Sequence, residues 1–275
     1  MRQTTHPHIA GGEKGMYRAY DFTFAGVSAS MYGMYVADIG NKKHGDHSFG
    51  NVANIVETRI ANRVTPIHYG VRYHDEPLTF TLIFGADRVL DRYELQEISK
   101  WLTGYQEYQW LSIDQPDLEH IQFRCLVESL TPISMKWMPM AFEAKIVCDC
   151  PYGYSYPFEK TYVIHEETAV LFYNDGSSRV PLKPIIEVSL AQGCTELTIT
   201  NHTTGETVRF YDLPSGGISF VVDSENEVVA AEDVTDIYEC FNYVFPSFVA
   251  GDNRLTITGD GIVKLSGRFL YNVGA

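Results

Sequence analysis

Apolar and polar residues alternate along several short stretches of this chain, and a period of two marks a strand with one buried face. Tyr20, Phe22 and Phe24 alternate with Asp21 and Thr23, which predicts a strand at residues 20–24 closed by a turn at Gly26. Leu78, Phe80, Leu82 and Phe84 alternate with Thr79 and Thr81 and predict a strand at 78–84. One segment has the helical period instead. Leu95, Ile98 and Leu102 recur at i, i+3 and i+7 with Trp101 beside them, while Gln96, Ser99 and Lys100 face away. Asp91 is placed to cap this helix, Glu94 completes a capping box, and Gly104 supplies the stop. Strands resume at 109–113, 121–127 and 141–150, with a turn at Pro116. One helix among many strands predicts a β-rich α+β domain.

Between residues 33 and 74 the pattern weakens, and the run GNKKHGDHSFG at 40–50 is polar and turn-like. A stretch of this length is functional, disordered or an extended hairpin; a strand at 55–64 suits the last of these. Residues 1–15 are polar, with His6, Pro7, His8, Gly11 and Gly12. They predict a mobile arm, the alternative being an arm that docks on a neighbour.

The run CPYGYSYP at 150–157 carries two prolines and a glycine and marks a domain boundary. Beyond it the chain is strand after strand: 185–190, 197–201, 207–211, 218–222, 228–230, 253–258 and 262–270. Turns at 202–205, 223–226 and 259–261 separate them, a spacing that predicts an antiparallel β-sandwich. The expected fold is therefore mainly β.

Length and charge narrow the function. A chain of 275 residues suggests about two domains. Its net charge is −14, and the imbalance sits late: residues 1–150 hold 14 basic and 18 acidic side chains, residues 151–275 hold 7 and 17. Tracking of nucleic-acid phosphates is disfavoured. No apolar run reaches the roughly 18 residues of a membrane span, and the N-terminus has no apolar signal region, so neither membrane insertion nor secretion is expected. Five scattered cysteines (Cys125, Cys148, Cys150, Cys194, Cys240) do not form a disulfide framework and fit synthesis in a reducing cytoplasm.

The search for chemistry returns little. No nucleophile elbow, zincin, Walker A or dinucleotide motif is present. Cys148 and Cys150 lack the second pair a zinc site needs and are expected to be buried thiols. His44, Asp46 and His47 lie in a solvated loop, and His68 and His74 share a face only on an unbroken strand. Asp223, Glu225 and Glu227 open like a calcium loop, but Val228 and Val234 stand where it requires Gly and Glu. Glu225, Glu227, Glu232, Asp233, Asp236 and Glu239 form an acidic run, either a solvated face or a dock for a basic partner. The sequon at Asn201 carries no weight without secretion. All three tryptophans, Trp101, Trp110 and Trp137, precede the boundary, which weakens a sugar-binding reading of the second half. No catalytic, cofactor-binding or metal-binding residue is assigned, and a structural or binding protein is expected.

The order of these blocks resembles the distal tail proteins (Dit) of long flexible-tailed bacteriophages and prophages. The residues that carry the resemblance are YDFTFAG at 20–26, the strand at 78–84, the helix ELQEISKWL at 94–102 and FEAKIVCDCPYG at 142–153. ITNHTTG at 199–205, FVVD at 220–223 and FPSFVAGDN at 245–253 continue it. A leader of about 16 residues and the loosely matching 33–74 region depart from the family pattern. After the flexible extension at 1–16, the resemblance implies a ring-forming domain at 17–152 with an extended hairpin at about 33–74, a linker at 153–160 and a galectin-like sandwich at 161–275. It implies a homohexameric hub at the virion tail tip, assembled in the host cytoplasm. Such a hub joins the tail tube protein to lysin, fibre or receptor-binding proteins and passes DNA through its lumen, where carboxylates would repel it. No large insertion for carbohydrate binding is present, which predicts an adaptor. The alternatives are a carbohydrate-binding module that recognises host cell-wall glycans through the C-terminal sandwich, and a hydrolase with dispersed carboxylates.

Overall fold

The computed structural model describes residues 21–40, 53–73, 76–135, 138–231 and 236–273. Among these residues the fold is mainly β, with one α-helix and two separate hydrophobic cores.

The first core lies against an antiparallel sheet in the order Val27–Ser28, Phe22–Phe24, Gln109–Ile113, Ile121–Met135, Met138–Cys148, Thr79–Gly85 and Tyr35–Gly40. Alternation works as the sequence predicts: Phe22, Phe24, Leu82 and Phe84 are buried. The helix Arg92–Thr103 buries Ile98, Trp101 and Leu102. The Trp101 ring stacks on Phe22 and Tyr32 at 5.7 and 5.0 Å, and its Nε1–H donates to the Phe24 carbonyl at 3.1 Å.

The capping box forms. The Glu94 amide donates to Asp91 Oδ1 at 2.8 Å, and the Asp91 amide donates to Glu94 Oε2 at 2.9 Å. The Arg88 guanidinium, then the Asp91 amide, hold the Glu94 carboxyl down from 4.5 to about 2. This lowered value makes the contribution complete above pH 4.5 and lost as pH falls through about 2. Asp91→Ala is expected to cost about 1 kcal/mol in a urea unfolding measurement at neutral pH. The helix stops at Gly104, where a Cβ would run into the Lys100 carbonyl.

The second core is shared by two antiparallel sheets. One runs Phe158–Ile164, Gly261–Gly267, Ile185–Leu190, Ile218–Asp223, Val228–Ala231; the other runs Glu167–Asn174, Gly251–Thr258, Leu197–Asn201, Glu206–Phe210. A buried asparagine cluster sets the loop at 241–250. Asn253 Oδ1 accepts from the Val249 amide at 3.1 Å and Asn201 Nδ2 at 3.2 Å, while Asn174 Nδ2 donates to the Phe248 carbonyl at 3.0 Å.

Several expectations need correction. The strand expected at 121–127 continues to Met135; an extra residue at Glu128, and one at Met140 on its partner, shift the register and interrupt the alternation that would mark the continuation. The strand expected at 55–64 is Ala53–Thr58; its partner Ile67–Tyr73 follows a turn in which Asn62 has a φ of 68°. Tyr35–Gly40, inside the region read as a hairpin, belongs to the main sheet against Thr79–Gly85. The segment read as a linker holds the strand Gly153–Ser155 and the start of Phe158–Ile164. The last expected strand, 262–270, breaks after Gly267, and Leu270–Tyr271 crosses to the first sheet to pair with Gly153–Ser155. Residues 1–16, His44, His47, His74, Trp137, Glu232 and Asp233 lie outside the described residues. Among the described residues no helix is long and apolar enough to cross a membrane.

Candidate interaction sites: a free hairpin and an interdomain groove

Ala53–Thr58 and Ile67–Tyr73 form a two-stranded sheet of their own. Seven residues of strand reach about 24 Å. Ile55, Tyr69 and Val71 on its strands, and Ile60 and Val64 at its turn, are exposed, Val64 completely at 101%. None of these residues belongs to either hydrophobic core. Gly70, at a φ of 138°, lies by the bulge opposite Val56 and Glu57. A lone two-stranded hairpin is marginal in water, so an apolar hairpin of this kind is built to be covered by something else.

The second site is the groove between the two cores, about 800 Å³ in volume. It opens where Met138–Cys148 gives way to Gly153–Ser155, both of which pair with Ile121–Met135. The interrupted stretch presents Asp149 and Cys150 to the groove. Tyr154 O–H donates to Asp149 Oδ2 at 3.0 Å, and Arg124 Nη1 lies 3.7 Å from the same oxygen. Asp149 Oδ1 is buried without a hydrogen-bond partner among the described residues. Burial pushes the Tyr154 hydroxyl and the Cys150 thiol up from their ordinary values. The Tyr154 and Trp110 rings meet in a T-shaped contact, centroids 5.3 Å apart.

Arg268 closes one end of the groove. Its guanidinium lies 3.8 Å from the Trp110 ring centroid, and its Nη1 donates to Gln122 Oε1 at 2.7 Å and to the Ser155 carbonyl at 2.8 Å. Desolvation lowers its pKa from the ordinary arginine value. Beyond it, Tyr271 O–H donates to Asp175 Oδ2 at 2.8 Å, and Tyr271 and Val273 pack against the first core. The C-terminal segment therefore stitches the two halves together through hydrogen bonds, a cation–π contact and a short sheet. The sequence reading missed Arg268, since nothing local marks a residue whose partners lie 113 and 146 positions away.

Among the described residues the metal candidates do not converge. Cys148 lies directly opposite Cys125, both buried, whereas Cys150 sits beyond the strand end. The Cys125 thiol, then burial, pushes the Cys148 thiol up, which disfavours the thiolate a metal takes. Asp223 spends its carboxylate on its own turn, accepting from the Glu225 and Asn226 amides and from Asn226 Nδ2, and those bonds lower its pKa. Among the described residues no group of three His, Cys, Asp or Glu side chains is placed to hold a metal ion. Asn201 of the sequon is buried, its side chain committed to the Ser247 carbonyl, Asn253 and the Thr203 amide.

Comparison with known proteins agrees with this architecture. Residues 17–150 match the family model of a phage tail protein N-terminal domain, and residues 152–267 match that of a phage tail C-terminal domain. The fold is similar to that of the SPP1 Dit protein, described as a paradigm of the hub adsorption apparatus in phages that infect Gram-positive bacteria. That likeness has a TM-score of 0.64 at 14% identity and covers 92% of this chain and 100% of the other. A chain of the phage P2 baseplate in its activated conformation aligns with a TM-score of 0.48 at 10% identity, covering 91% of this chain and 98% of its own. No curated protein sequence matches. With both of its units matched in order along the chain, and with the fold of a Dit protein, this protein belongs to the phage tail protein family that these two domains define.

Proposed function

We propose that the chain is the structural hub of a phage tail tip. Six copies form a ring through the first domain, and the second domain points outward. The ring joins the tail tube to lysin, fibre or receptor-binding proteins and leaves a lumen for DNA. The observation that carries this reading is the hairpin Ala53–Tyr73, whose apolar residues have no place in either core of its own chain. A ring needs a head-to-tail interface that closes, and an arm laid on the next copy is one way to build it. The net charge of −14 suits a lumen that DNA passes without sticking. The protein acts by binding and carries out no catalysis. Light scattering of the purified chain, with negative-stain imaging of the same fractions, tests the ring. The expected species has six times the 31.1 kDa mass of one chain and six outward lobes. A chain that stays monomeric even with its tail-tube protein present overturns the reading.

A further inference from the structure

We propose that Cys125 and Cys148 are an oxidation site, whose two thiols close to a disulfide that staples the first domain once the protein leaves a reducing environment. The register places them directly opposite each other on the neighbouring strands Ile121–Met135 and Met138–Cys148. Residues opposite each other on antiparallel strands share a face, and both side chains lie in the first core, 0% and 1% exposed. The hydrogen-bond ladder fixes the kind of pair. The Asp149 amide donates to the Arg124 carbonyl at 2.9 Å, so Arg124 and Asp149 are a bonded pair. The Cys148 amide turns the other way and donates to the Leu78 carbonyl at 2.8 Å. Bonded and non-bonded pairs alternate, which makes Cys125 and Cys148 a non-bonded pair. Such pairs hold their Cα atoms about 4.5 Å apart, inside the roughly 4.4–6.8 Å that a disulfide spans.

The other three thiols are engaged elsewhere. Cys150 lies past the strand end and donates to the Tyr152 carbonyl at 3.4 Å and the Tyr154 hydroxyl at 3.3 Å. Cys194 donates to the Glu196 carbonyl at 3.2 Å and Cys240 to the Asp212 carbonyl at 3.7 Å, both in the second domain. In the reduced protein the Cys125 thiol, then burial, keeps the Cys148 thiol protonated. A buried protonated thiol is a poor nucleophile, so the pair stays reduced through synthesis and closes slowly, on the order of hours. Cys148 is the last residue of its strand. Fraying of that strand end exposes the pair to a small oxidant without unfolding the sheet.

The oxidant is a low-molecular-weight disulfide. One cysteine, as its thiolate, attacks a sulfur of that disulfide; the small S–S bond breaks and one small thiolate leaves. The second cysteine thiolate attacks the protein sulfur of the mixed disulfide, the protein S–S bond forms and the second small thiolate leaves. The two cysteine protons end on the two released thiols. Two protein thiols are oxidised and one small disulfide is reduced. The new bond closes a loop of about 24 residues, and the freedom it removes from the unfolded chain stabilises the fold. Under the function proposed above, the chain passes from a reducing cell interior to an oxidising exterior. The pairing itself is a property of one chain and needs no ring, so it stands or falls separately from the hub.

The test equilibrates the full-length protein, purified under reducing conditions, with a mixture of oxidised and reduced glutathione, and maps its disulfides by mass spectrometry of peptides. Most molecules are expected to carry Cys125 linked to Cys148. The thermal transition of the first domain is expected to rise by at least about 5 °C, that of the second to stay where it was, and dithiothreitol to reverse the rise. Cys150→Ser is expected to leave both the link and the rise intact, whereas Cys148→Ala is expected to show no rise. The peptide map of the parent protein stands whether or not that variant folds. Cys125 and Cys148 that remain unlinked at equilibrium overturn the proposal. So does a link from either of them to Cys150, or a link between them that leaves the first transition unmoved.

Discussion

Replacing residues 54–72 with a short Gly-Ser turn is expected to leave a folded monomer that no longer assembles. The excised segment is one two-stranded sheet, and neither hydrophobic core draws a residue from it. The flanking strands Tyr35–Gly40 and Thr79–Gly85 pair with each other in the main sheet, so the cut leaves that ladder intact. A hairpin contributes little alone in water, and the unfolding free energy of one chain should fall by less than about 1 kcal/mol. Assembly should respond very differently. Ile55, Ile60, Val64, Tyr69 and Val71 are exposed apolar side chains. Covering three or four of them on a neighbour contributes several kcal/mol at about 25 cal/mol per Å². In the ring proposed above that loss is repeated at each junction and is decisive. Light scattering on parent and variant, with circular dichroism to confirm folding, checks the outcome. A truncated chain that still forms the parent oligomer would show that the interface lies elsewhere. Substituting only Ile55, Tyr69 and Val71 by Ser should reproduce most of the loss without changing the length of the chain.

The second large effect is expected at Asn253, which is fully buried. Its Nδ2 donates to the Val249 and Gly251 carbonyls at 2.8 and 3.1 Å, and its Oδ1 accepts from the Val249 amide and Asn201 Nδ2. Asn253→Ala removes all four bonds and strands buried partners in an enclosed site. Each stranded group costs about 1–3 kcal/mol, and the network is cooperative, so a loss of about 3–5 kcal/mol is expected in urea unfolding of the second domain. The first domain has its own core and should report a nearly unchanged transition. Asn253→Asp does not rescue, because it replaces a donor with a buried charge. A loss below about 1 kcal/mol would mean that water takes over these bonds.

What the sequence alone determined is local. The helix from Arg92 to Thr103 is legible because its capping box, its i, i+3, i+7 face and its terminal glycine all lie within a few residues of one another. The strands at Phe22–Phe24 and Thr79–Gly85 are legible because one face of each meets the core and the other does not, and that asymmetry is written as alternation. The same rule explains the misses. Glu167–Asn174 carries Leu171 and Tyr173 outward beside Val170 and Phe172 inward, so its alternation vanishes. Phe158–Ile164 is polar on an exposed edge and does not stand out. Ile121–Met135 outruns its expected length because the bulge at Glu128 shifts its period by one residue and ends the readable alternation.

Tertiary structure decided the rest, for a physical reason. A strand's partner, the residue over Trp110 and the absence of a core beneath a hairpin depend on contacts between residues far apart in the chain, and local pattern carries no record of them. Arg268 reaches Gln122 and Ser155 only because Leu270–Tyr271 returns to the first sheet. The apolar residues of Ala53–Thr58 and Ile67–Tyr73 resemble those of any buried strand until the structure shows them exposed. Composition and periodicity fixed that this chain is mainly β, while the long-range pairings set which surfaces it leaves uncovered for other molecules.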